Sequence, residues 1–221
     1  MISDTKVVAI GGGTGLSTML KGLKLHTHNI TAVVTVADDG GSSGILRSDL
    51  GMLAPGDVRN CVSALAEVDP VMGELLNFRF KDGSLKGHSL GNLFLAALNE
   101  TSSSFDEAVK KFSHLTGVVG TVYPVTNESV TLSALLEDGR LIEGESHIGV
   151  HHDGPKNGIV KLMVNPEKPK AVDGVIKALE KADIIVLGPG SLYTSIIPNL
   201  LVDGVVDAIK KSNAVKIYVC N

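Results

Sequence analysis

The 221-residue sequence contains no tryptophan, and aromatic residues make up only 4% of it. Its 20 lysines and arginines are outnumbered by 24 aspartates and glutamates, which gives a formal net charge of −4. Nucleic-acid-binding proteins present a positive surface and, for single strands, aromatic side chains on which bases stack. The composition provides neither, so we expect no nucleic acid among the partners of this protein.

The sequence also lacks a signal peptide and any apolar run long enough to cross a bilayer. We therefore expect a cytoplasmic protein with no membrane partner. Its two cysteines, Cys61 and Cys220, are far apart and form no C-x-x-C pattern, which favours two reduced thiols over a disulfide. The sequence leaves the oligomeric state open, a homo-oligomer included.

A glycine-rich turn between a short apolar strand and a helix is the clearest local feature. The β-branched run Val7–Ile10 predicts a buried strand, and four of the next five residues are glycines. Glycine lets a backbone turn sharply and approach a ligand closely, and the free N–H groups of a helix start attract anions. The residues that we expect to bind phosphate here are Gly11, Gly12, Gly13, Thr14, Gly15 and Ser17.

This turn matches neither of the two common nucleotide motifs completely. No Gly-Lys-Ser/Thr follows it, so it is not a P-loop. Leu16 stands where the dinucleotide motif G-x-G-x-x-G has its third glycine. The alternative interpretation is a tight strand-to-helix turn without a ligand.

A second polar loop, Asp38–Gly44, follows a second predicted strand, Ile30–Val36. Asp38 is placed where a dinucleotide fold has its ribose-binding acid, and adjacent carboxylates can also hold Mg²⁺ against a diphosphate. The alternative is a solvated turn, since Asp and Gly are common turn residues. The candidate ligand-binding residues of this loop are Asp38, Asp39, Ser42 and Ser43.

Two predicted helices begin with further polar residues. Asp57 is expected to cap the first, and Arg59 provides a fork suited to phosphate, although this helix alone favours an outward-facing arginine. His88 precedes the second helix and could contact phosphate or transfer a proton, but such histidines more often cap or pack. The candidate ligand-binding residues at these helix starts are Asp57, Arg59, Asn60, His88 and Asn92.

A third strand, Asp183–Leu187, also ends in a glycine and hydroxyl loop, Gly188–Ser195, in which Gly188, Gly190 and Ser191 are candidate ligand-binding residues. The carboxyl ends of parallel strands meet at one edge of a sheet, where ligands of open α/β folds bind. We therefore expect the three loops to line one crevice suited to a nucleotide diphosphate.

The middle of the chain departs from this pattern. Asp138-Gly139 between extended runs predicts an antiparallel β-hairpin within an insertion over about residues 122–164. His151-His152-Asp153 has no third partner at a metal-site spacing, so a polar loop is favoured over a metal site. The sequence contains no G-x-S-x-G or H-E-x-x-H motif and no nucleophile with an adjacent base, so we predict neither a catalytic residue nor a metal ligand.

Together these patterns predict an α/β protein with a Rossmann-like, mostly parallel sheet, helices on both faces and a small antiparallel β-hairpin insertion. We expect residues 1–221 to form a single nucleotide-binding domain.

Five strings of the sequence, taken in order, resemble one protein family. They are V-V-A-I-G-G-G-T-G-L-S, V-A-D-D-G-G-S-S-G-I-L-R, P-G-D-V-R-N, G-H-S-L-G-N and G-P-G-S-L-Y-T-S-I-I-P-N-L-L-V. The chain is similar over essentially its whole length to the YvcK family of bacterial gluconeogenesis factors, which is related to 2-phospho-L-lactate transferase. The family usually continues well beyond a strand like Lys216–Cys220, so we expect a C-terminal part of the family domain to be missing here.

The resemblance implies a cytoplasmic protein that binds a nucleotide ligand, a UDP-sugar or NAD(P). It also implies a role in normal growth and cell shape on gluconeogenic carbon sources. The family's ligand site maps onto Gly11–Ser17, Asp38–Ser43, Asp57–Asn60, His88–Asn92 and Gly188–Ser195.

Three functions stay open from the sequence. The first is a nucleotide-binding regulatory protein without turnover. The second is a Mg²⁺-dependent transferase of a phosphorylated group from a nucleotide, in which Asp38 and Asp39 hold the metal. The third is a nicotinamide dehydrogenase with Asp38 on the ribose, which Leu16 disfavours.

Overall fold

A computed structural model describes residues 3–150 and 157–220 of the chain. The strands of the described residues are β1 (Val7–Gly11), β2 (Ile30–Val34), β3 (Thr121–Pro124), β4 (Thr131–Leu136), β5 (Leu141–Glu143), β6 (Ile159–Asn165), β7 (Ile184–Leu187) and β8 (Val215–Tyr218). The α-helices are α1 (Gly13–Leu23), α2 (Gly41–Leu50), α3 (Gly56–Leu65), α4 (Pro70–Asn77), α5 (Leu90–Glu100), α6 (Phe105–Leu115), α7 (Glu145–Gly149), α8 (Asp173–Lys181), α9 (Ile197–Leu200) and α10 (Val205–Lys211). Within these two described ranges, none of the helices is long and apolar enough to cross a membrane.

The main sheet has five strands in the order β3-β2-β1-β7-β8, and every neighbouring pair is parallel. β1 lies at its centre, where Ala9 is opposite Ala32 of β2 and Val186 of β7. The chain runs outward from β1 to β2 and β3 on one side and then to β7 and β8 on the other. Strand order therefore reverses between β1 and β7, which is where doubly wound α/β folds bind ligands.

Helices cover both faces of this sheet, as predicted. Side chains alternate across β1, so Ala9 belongs to a core with Leu16 of α1 and Phe112 of α6. Ile10 points the other way and belongs to a second core with Leu179 of α8. The β-branched strands are buried on both sides because each face is closed by its own layer of helices.

The antiparallel unit is confirmed, with different limits from the expected insertion. β5, β4 and β6 form a separate three-stranded antiparallel sheet, and the predicted Asp138-Gly139 turn joins β4 to β5. The stretch from Val122 to Pro124, expected within the insertion, pairs in parallel with β2 and belongs to the main sheet. The predicted loop residues 151–153 lie outside the described residues.

Helical turns replace parts of two predicted loops. Strand β2 ends at Val34, and residues 41–44 form the first turn of α2 instead of continuing the loop after Asp38. Leu192–Ile196 forms a π-helical turn within the predicted loop Gly188–Ser195. Glycine and serine made both segments look like loops, but a helix start tolerates these residues because its first N–H groups have no intrahelical partner.

Candidate functional site

The glycine turn between β1 and α1 packs against the side chain of Asp57, the second residue of α3. Gly12 precedes α1, and a Cβ atom there would lie 2.7 Å from Oδ2 of Asp57 and 2.5 Å from Cγ2 of Thr35. Gly13 has a φ of +66°, and its N–H donates to the Asp57 carboxylate. Only glycine fits at position 12, because any side chain would push Asp57 away.

The end of β7 meets this turn at the point where the strand order reverses. A Cβ on Gly15 would lie 2.7 Å from the carbonyl oxygen of Pro189, and one on Gly190 would lie 3.6 Å from that of Gly12. The predicted convergence of the loops after β1 and β7, including Gly11 and Gly188, therefore occurs, and Gly188 N–H donates to the Ile10 carbonyl at 2.9 Å.

Two predicted hydroxyls serve their own helices. Ser17 Oγ donates to the carbonyl of Thr14 at 3.0 Å, and Thr14 itself is exposed. Ser191 Oγ accepts the N–H of Thr194 at 3.4 Å and so caps the π-helical turn. Both serines have local hydrogen bonds, which account for their positions without a ligand.

The two aspartates after β2 have different surroundings. Asp38 Oδ1 accepts the N–H of Gly40 at 2.9 Å. Asp39 Oδ2 and Oδ1 accept the N–H groups of Glu145 and Ser146 at 3.0 and 2.9 Å. Asp39 therefore caps the N-terminus of α7 from a position 106 residues earlier in the chain. Its carboxylate joins the antiparallel unit to the main sheet.

A cavity of about 200 Å³ lies next to the segment after β2 and the starts of α2 and α3. Seven predicted ligand-binding residues line it together with four further residues. The predicted ones are Asp38, Ser42, Ser43, Asp57, Arg59, Asn60 and Asn92. The others are Gly40, Gly41, Gly56 and Arg79.

Arg59 is buried in this wall, with 7% of its surface exposed, so the expectation of an outward-facing arginine is wrong. Its Nε donates to Asn92 Oδ1 at 3.3 Å and its Nη1 donates to Asn77 Oδ1 at 2.7 Å. Gly91 makes this possible, because a Cβ there would lie 2.9 Å from Cδ of Arg59. The guanidinium has five N–H donors and these bonds use two, so donors remain for a ligand.

The expected capping role of Asp57 is also wrong. The residue before α3 is Pro55, which has no side chain that can cap the helix. Asp57 lies within the first turn and accepts from Gly13 of the glycine turn instead. A capping aspartate would precede the helix, whereas Asp57 follows Gly56, the first helical residue.

Ser42 and Asn92 of the cavity wall form a buried polar cluster with His88. Ser42 Oγ lies 3.0 Å from His88 Nδ1, and Asn92 Nδ2 donates to Ser42 Oγ at 3.1 Å. Asn92 also receives the Arg59 bond, so one hydrogen-bonded chain links Arg59 to His88. The sequence predicted these residues separately, and the structure brings them into contact.

Burial perturbs the carboxylates of the site. Burial raises the pKa of Asp57 to about 6, helped by the charge of Asp38 and opposed by the Gly13 N–H and the charge of Arg59. Burial also raises the pKa of Glu145, opposed by a hydrogen bond from Thr194 and aided by nearby Asp38. The charge of Arg59 is likewise disfavoured, since burial and Arg79 lower its pKa. The carboxylates of Asp38 and Asp57 and the arginines Arg59 and Arg79 line the same cavity, a mixture that suits a ligand with both phosphate and polar groups.

Sequence reasoning did not assign three residues of the site. Arg79 follows helix α4, Glu145 begins α7 in the antiparallel unit, and Asn199 lies in α9. Each reaches the site through tertiary packing, and none belongs to a glycine loop or a periodic pattern. Position within the fold, not residue type, assigns them to the site.

The surroundings of Asp39 bear on the possible magnesium pair of Asp38 and Asp39. Each oxygen of Asp39 accepts a backbone N–H, and within residues 3–150 and 157–220 no group of three or more His, Cys, Asp or Glu side chains could hold a metal ion. Asp39 is thus engaged with α7, and a magnesium ion held by Asp38 and Asp39 stays a prediction.

Comparison with known proteins places the chain in a family. The model of the family described as 2-phospho-L-lactate transferase CofD matches residues 7–221. A protein of Thermoanaerobacterium thermosulfurigenes is 58% identical over 220 residues, which cover 100% of this chain and 68% of that protein. The protein named gluconeogenesis factor in Bacillus subtilis is 47% identical over 219 residues, which cover 98% of this chain and 67% of that protein.

A crystal structure of a protein from Bacillus halodurans has the same fold. It superposes with a TM-score of 0.94 at 47% identity, over 99% of this chain and 70% of the other. The chain spans about half the length of two further relatives, 49% of one from Clostridium acetobutylicum and 47% of one from Nostoc. With the family match over nearly all of its residues, the chain belongs to the 2-phospho-L-lactate transferase CofD family.

Proposed function

We propose that this chain is the nucleotide-binding domain of a cytoplasmic regulatory protein, and that its ligand is a UDP-sugar or NAD(P). One observation carries the proposal. The glycine turn after β1 meets the loop after β7 at the switch point of the sheet, beside a cavity that contains the buried guanidinium of Arg59. Backbone N–H groups at a helix start and a buried arginine are the groups with which proteins bind a diphosphate.

The biological role in the proposal is normal growth and cell shape on gluconeogenic carbon sources. Its support is the name gluconeogenesis factor, which the 47% identical Bacillus subtilis protein and a 49% identical protein of Halalkalibacterium halodurans bear. The chain spans 66% and 67% of these two proteins.

A nucleotide-dependent transferase is the alternative, and the surroundings of Asp39 weigh against a form with two aspartates on the metal. That form needs Asp38 and Asp39 to hold Mg²⁺ as a pair, whereas Asp39 caps α7. Mg²⁺ is often held by one or two carboxylates together with phosphate oxygens. The ligand experiments therefore include arms with and without Mg²⁺.

A thermal-shift panel tests the proposal. The protein is heated with UDP-glucose, NAD⁺, NADP⁺ or GDP, and with uridine as a ligand without phosphate. A ligand at 100 times its Kd stabilises the folded state by about 2.7 kcal/mol, which corresponds to a shift in Tm of roughly 5–10 °C for a domain of this size. We expect such a shift from UDP-glucose or a nicotinamide dinucleotide and none from uridine. No shift from any nucleotide, with or without Mg²⁺, would reject the proposal.

A further inference from the structure

We propose that Ser42 is a nucleophile for phosphorus and that His88 is its base. The proposal rests on the proposed function in one respect, the chemical class of the group attacked, which is a phosphate ester or anhydride of the bound nucleotide. The pair itself is defined by the structure alone.

The two side chains are in hydrogen-bond contact inside the protein. Ser42 Oγ lies 3.0 Å from His88 Nδ1, and the exposed fractions of the two residues are 8% and 7%. A serine hydroxyl within reach of an imidazole nitrogen is the arrangement by which a base removes the serine proton. The sequence does not indicate this pair, because the two residues are 46 positions apart.

The hydrogen bonds around the pair assign the direction of the proton. Arg59 can only donate, so its Nε contact at 3.3 Å fixes Oδ1 of Asn92 toward Arg59. Nδ2 of Asn92 then faces Ser42 and donates to Oγ at 3.1 Å. We assign the hydroxyl proton of Ser42 to His88 Nδ1 and the ring proton of His88 to Nε2. Ser42 is therefore oriented as a donor to its base.

Two arginines line the cavity beside Ser42, together with the carboxylates of Asp38 and Asp57. Ser42 lines it together with the guanidinium groups of Arg59 and Arg79. It is also the second residue of the ten-residue helix α2, whose N-terminal N–H groups favour an anion. These groups would stabilise the negative charge on a phosphoryl group under attack and on its leaving oxygen.

The step balances with the groups named. Ser42 Oγ forms a bond to phosphorus while the bond from phosphorus to the leaving oxygen breaks, and that oxygen keeps the electron pair. The hydroxyl proton passes to His88 Nδ1. The products are a phosphorylated Ser42 and the released nucleotide fragment.

The neighbouring serine, Ser43, has a hydroxyl with a structural role. Its Oγ accepts the N–H of Gly56 at 3.2 Å, which ties α2 to the start of α3. Among the described residues, no imidazole forms a hydrogen bond with Ser43. A reagent that detects activated serines should therefore distinguish two adjacent residues of the same helix.

The experiment is covalent labelling with an alkyl fluorophosphonate, which forms an Oγ–P bond and releases fluoride. Labelled protein is digested and the site is mapped by mass spectrometry. We expect one label per chain, on Ser42 and not on Ser43, with a rate at least 100-fold lower in His88→Gln. The exposed residues Ser48 of α2 and His114 of α6 provide matched controls, and Ser48→Ala and His114→Gln should label at the parent rate.

The position of the label in the parent protein tests the proposal even if a variant fails to fold. A parent protein without a label on Ser42, or a folded His88→Gln that labels as fast as the parent, would overturn the proposal. A label on Ser42 that UDP-glucose and NAD⁺ fail to slow supports the pair and contradicts the proposed ligand site. An unlabelled Ser42 in a protein that nucleotides stabilise overturns the pair and leaves the proposed function in place.

Discussion

The side-chain amide of Asn199 donates to the backbone carbonyl of Gly11 at 3.1 Å. The same nitrogen donates to the carbonyl of Ser195 at 2.8 Å, and Asn199 is fully buried. Gly11 ends β1, and Ser195 lies in the π-helical turn after β7. One side chain therefore joins the two loops whose convergence forms the candidate site.

Replacement of Asn199 by alanine should loosen this connection. Two buried hydrogen bonds are lost at about 1 kcal/mol each, so we expect the free energy of unfolding to fall by roughly 2 kcal/mol or more. Urea unfolding measures the change. Asn213→Ala, at an exposed position, is the matched control and should change stability by less than about 0.5 kcal/mol. Equal stability of the two variants would contradict a joining role for Asn199.

Gly12, just before α1, and Gly22, near the end of α1, differ in the space available for a side chain. A Cβ at Gly12 would lie 2.5 Å from Thr35 Cγ2, whereas one at Gly22 meets nothing within 4 Å. Gly12→Ala should therefore lower the free energy of unfolding by about 1–3 kcal/mol through overpacking. Gly22→Ala, inside α1, should raise it by about 0.5–1 kcal/mol. Thermal unfolding of both variants checks the signs, and a stabilised Gly12→Ala would contradict the close approach.

We expect Asp39 to stabilise the antiparallel unit more than it contributes to binding a ligand. Its carboxylate accepts two N–H groups at the start of α7, and loss of a helix cap costs about 1 kcal/mol. Asp39→Ala should therefore speed amide hydrogen exchange in α7 while exchange in β1 stays unchanged. If Asp39→Ala leaves α7 protected and instead abolishes a Mg²⁺-dependent nucleotide effect, the capping interpretation is wrong.

The raised pKa of Asp57 makes stability depend on pH. The folded-state pKa of about 6 exceeds the model-compound value of 3.8, so between these values only the folded state holds the proton. The stabilising contribution is complete below pH 3.8 and is lost as the pH rises through about 6. At 1.36 kcal/mol for each pH unit, the loss is at most about 3 kcal/mol.

Asp57→Asn removes this titration and retains an oxygen that can accept the Gly13 N–H. We expect a smaller decline in the free energy of unfolding between pH 4 and pH 7 than in the parent protein. Asp207→Asn makes the same change of charge on the exposed face of α10 and serves as the control. If the free energy of unfolding of the parent and of Asp57→Asn declined equally with pH, burial would not raise the pKa of Asp57.

Arg59 should dominate the affinity for a nucleotide. Lysine keeps the positive charge but loses the fork that contacts Asn77 and Asn92, and charge-assisted hydrogen bonds are worth about 1.5–3 kcal/mol. Arg59→Lys should therefore weaken binding by roughly 10- to 100-fold in calorimetric titrations. Arg140→Lys, at an exposed ion pair with Asp138, should leave the affinity unchanged. Equal losses in both variants would contradict a specific role of the Arg59 fork in binding the nucleotide.

The parts of the fold that depend on neighbouring residues were predictable from the sequence. The strand Val7–Ile10, the glycine turn and α1 follow from local periodicity and from the freedom of glycine, and the Asp138-Gly139 turn follows from its own chemistry. The residues after each parallel strand met at one edge because the topology of a parallel sheet requires it.

The contacts that give the site its chemistry were not predictable in this way. Arg59 was expected outside because the apolar face of α3 does not include it, yet α5 packs over it through Gly91. Asp39 follows β2 of the main sheet, and Glu145 follows β5 of the antiparallel sheet. Ser42 and His88 meet only when the start of α2 packs against the segment before α5. Distant pairings of this kind depend on the whole tertiary arrangement, which one sequence without periodic signals does not specify.

A crystal structure of the chain grown with UDP-glucose, and a second grown with NAD⁺, would test the central claim most directly. We predict that one of them shows the diphosphate at the Gly12–Gly15 turn with a phosphate oxygen within hydrogen-bonding distance of the Arg59 guanidinium. A nucleotide bound elsewhere on the molecule, or an empty cavity in crystals of a protein saturated with a ligand that raises its Tm, would contradict the account.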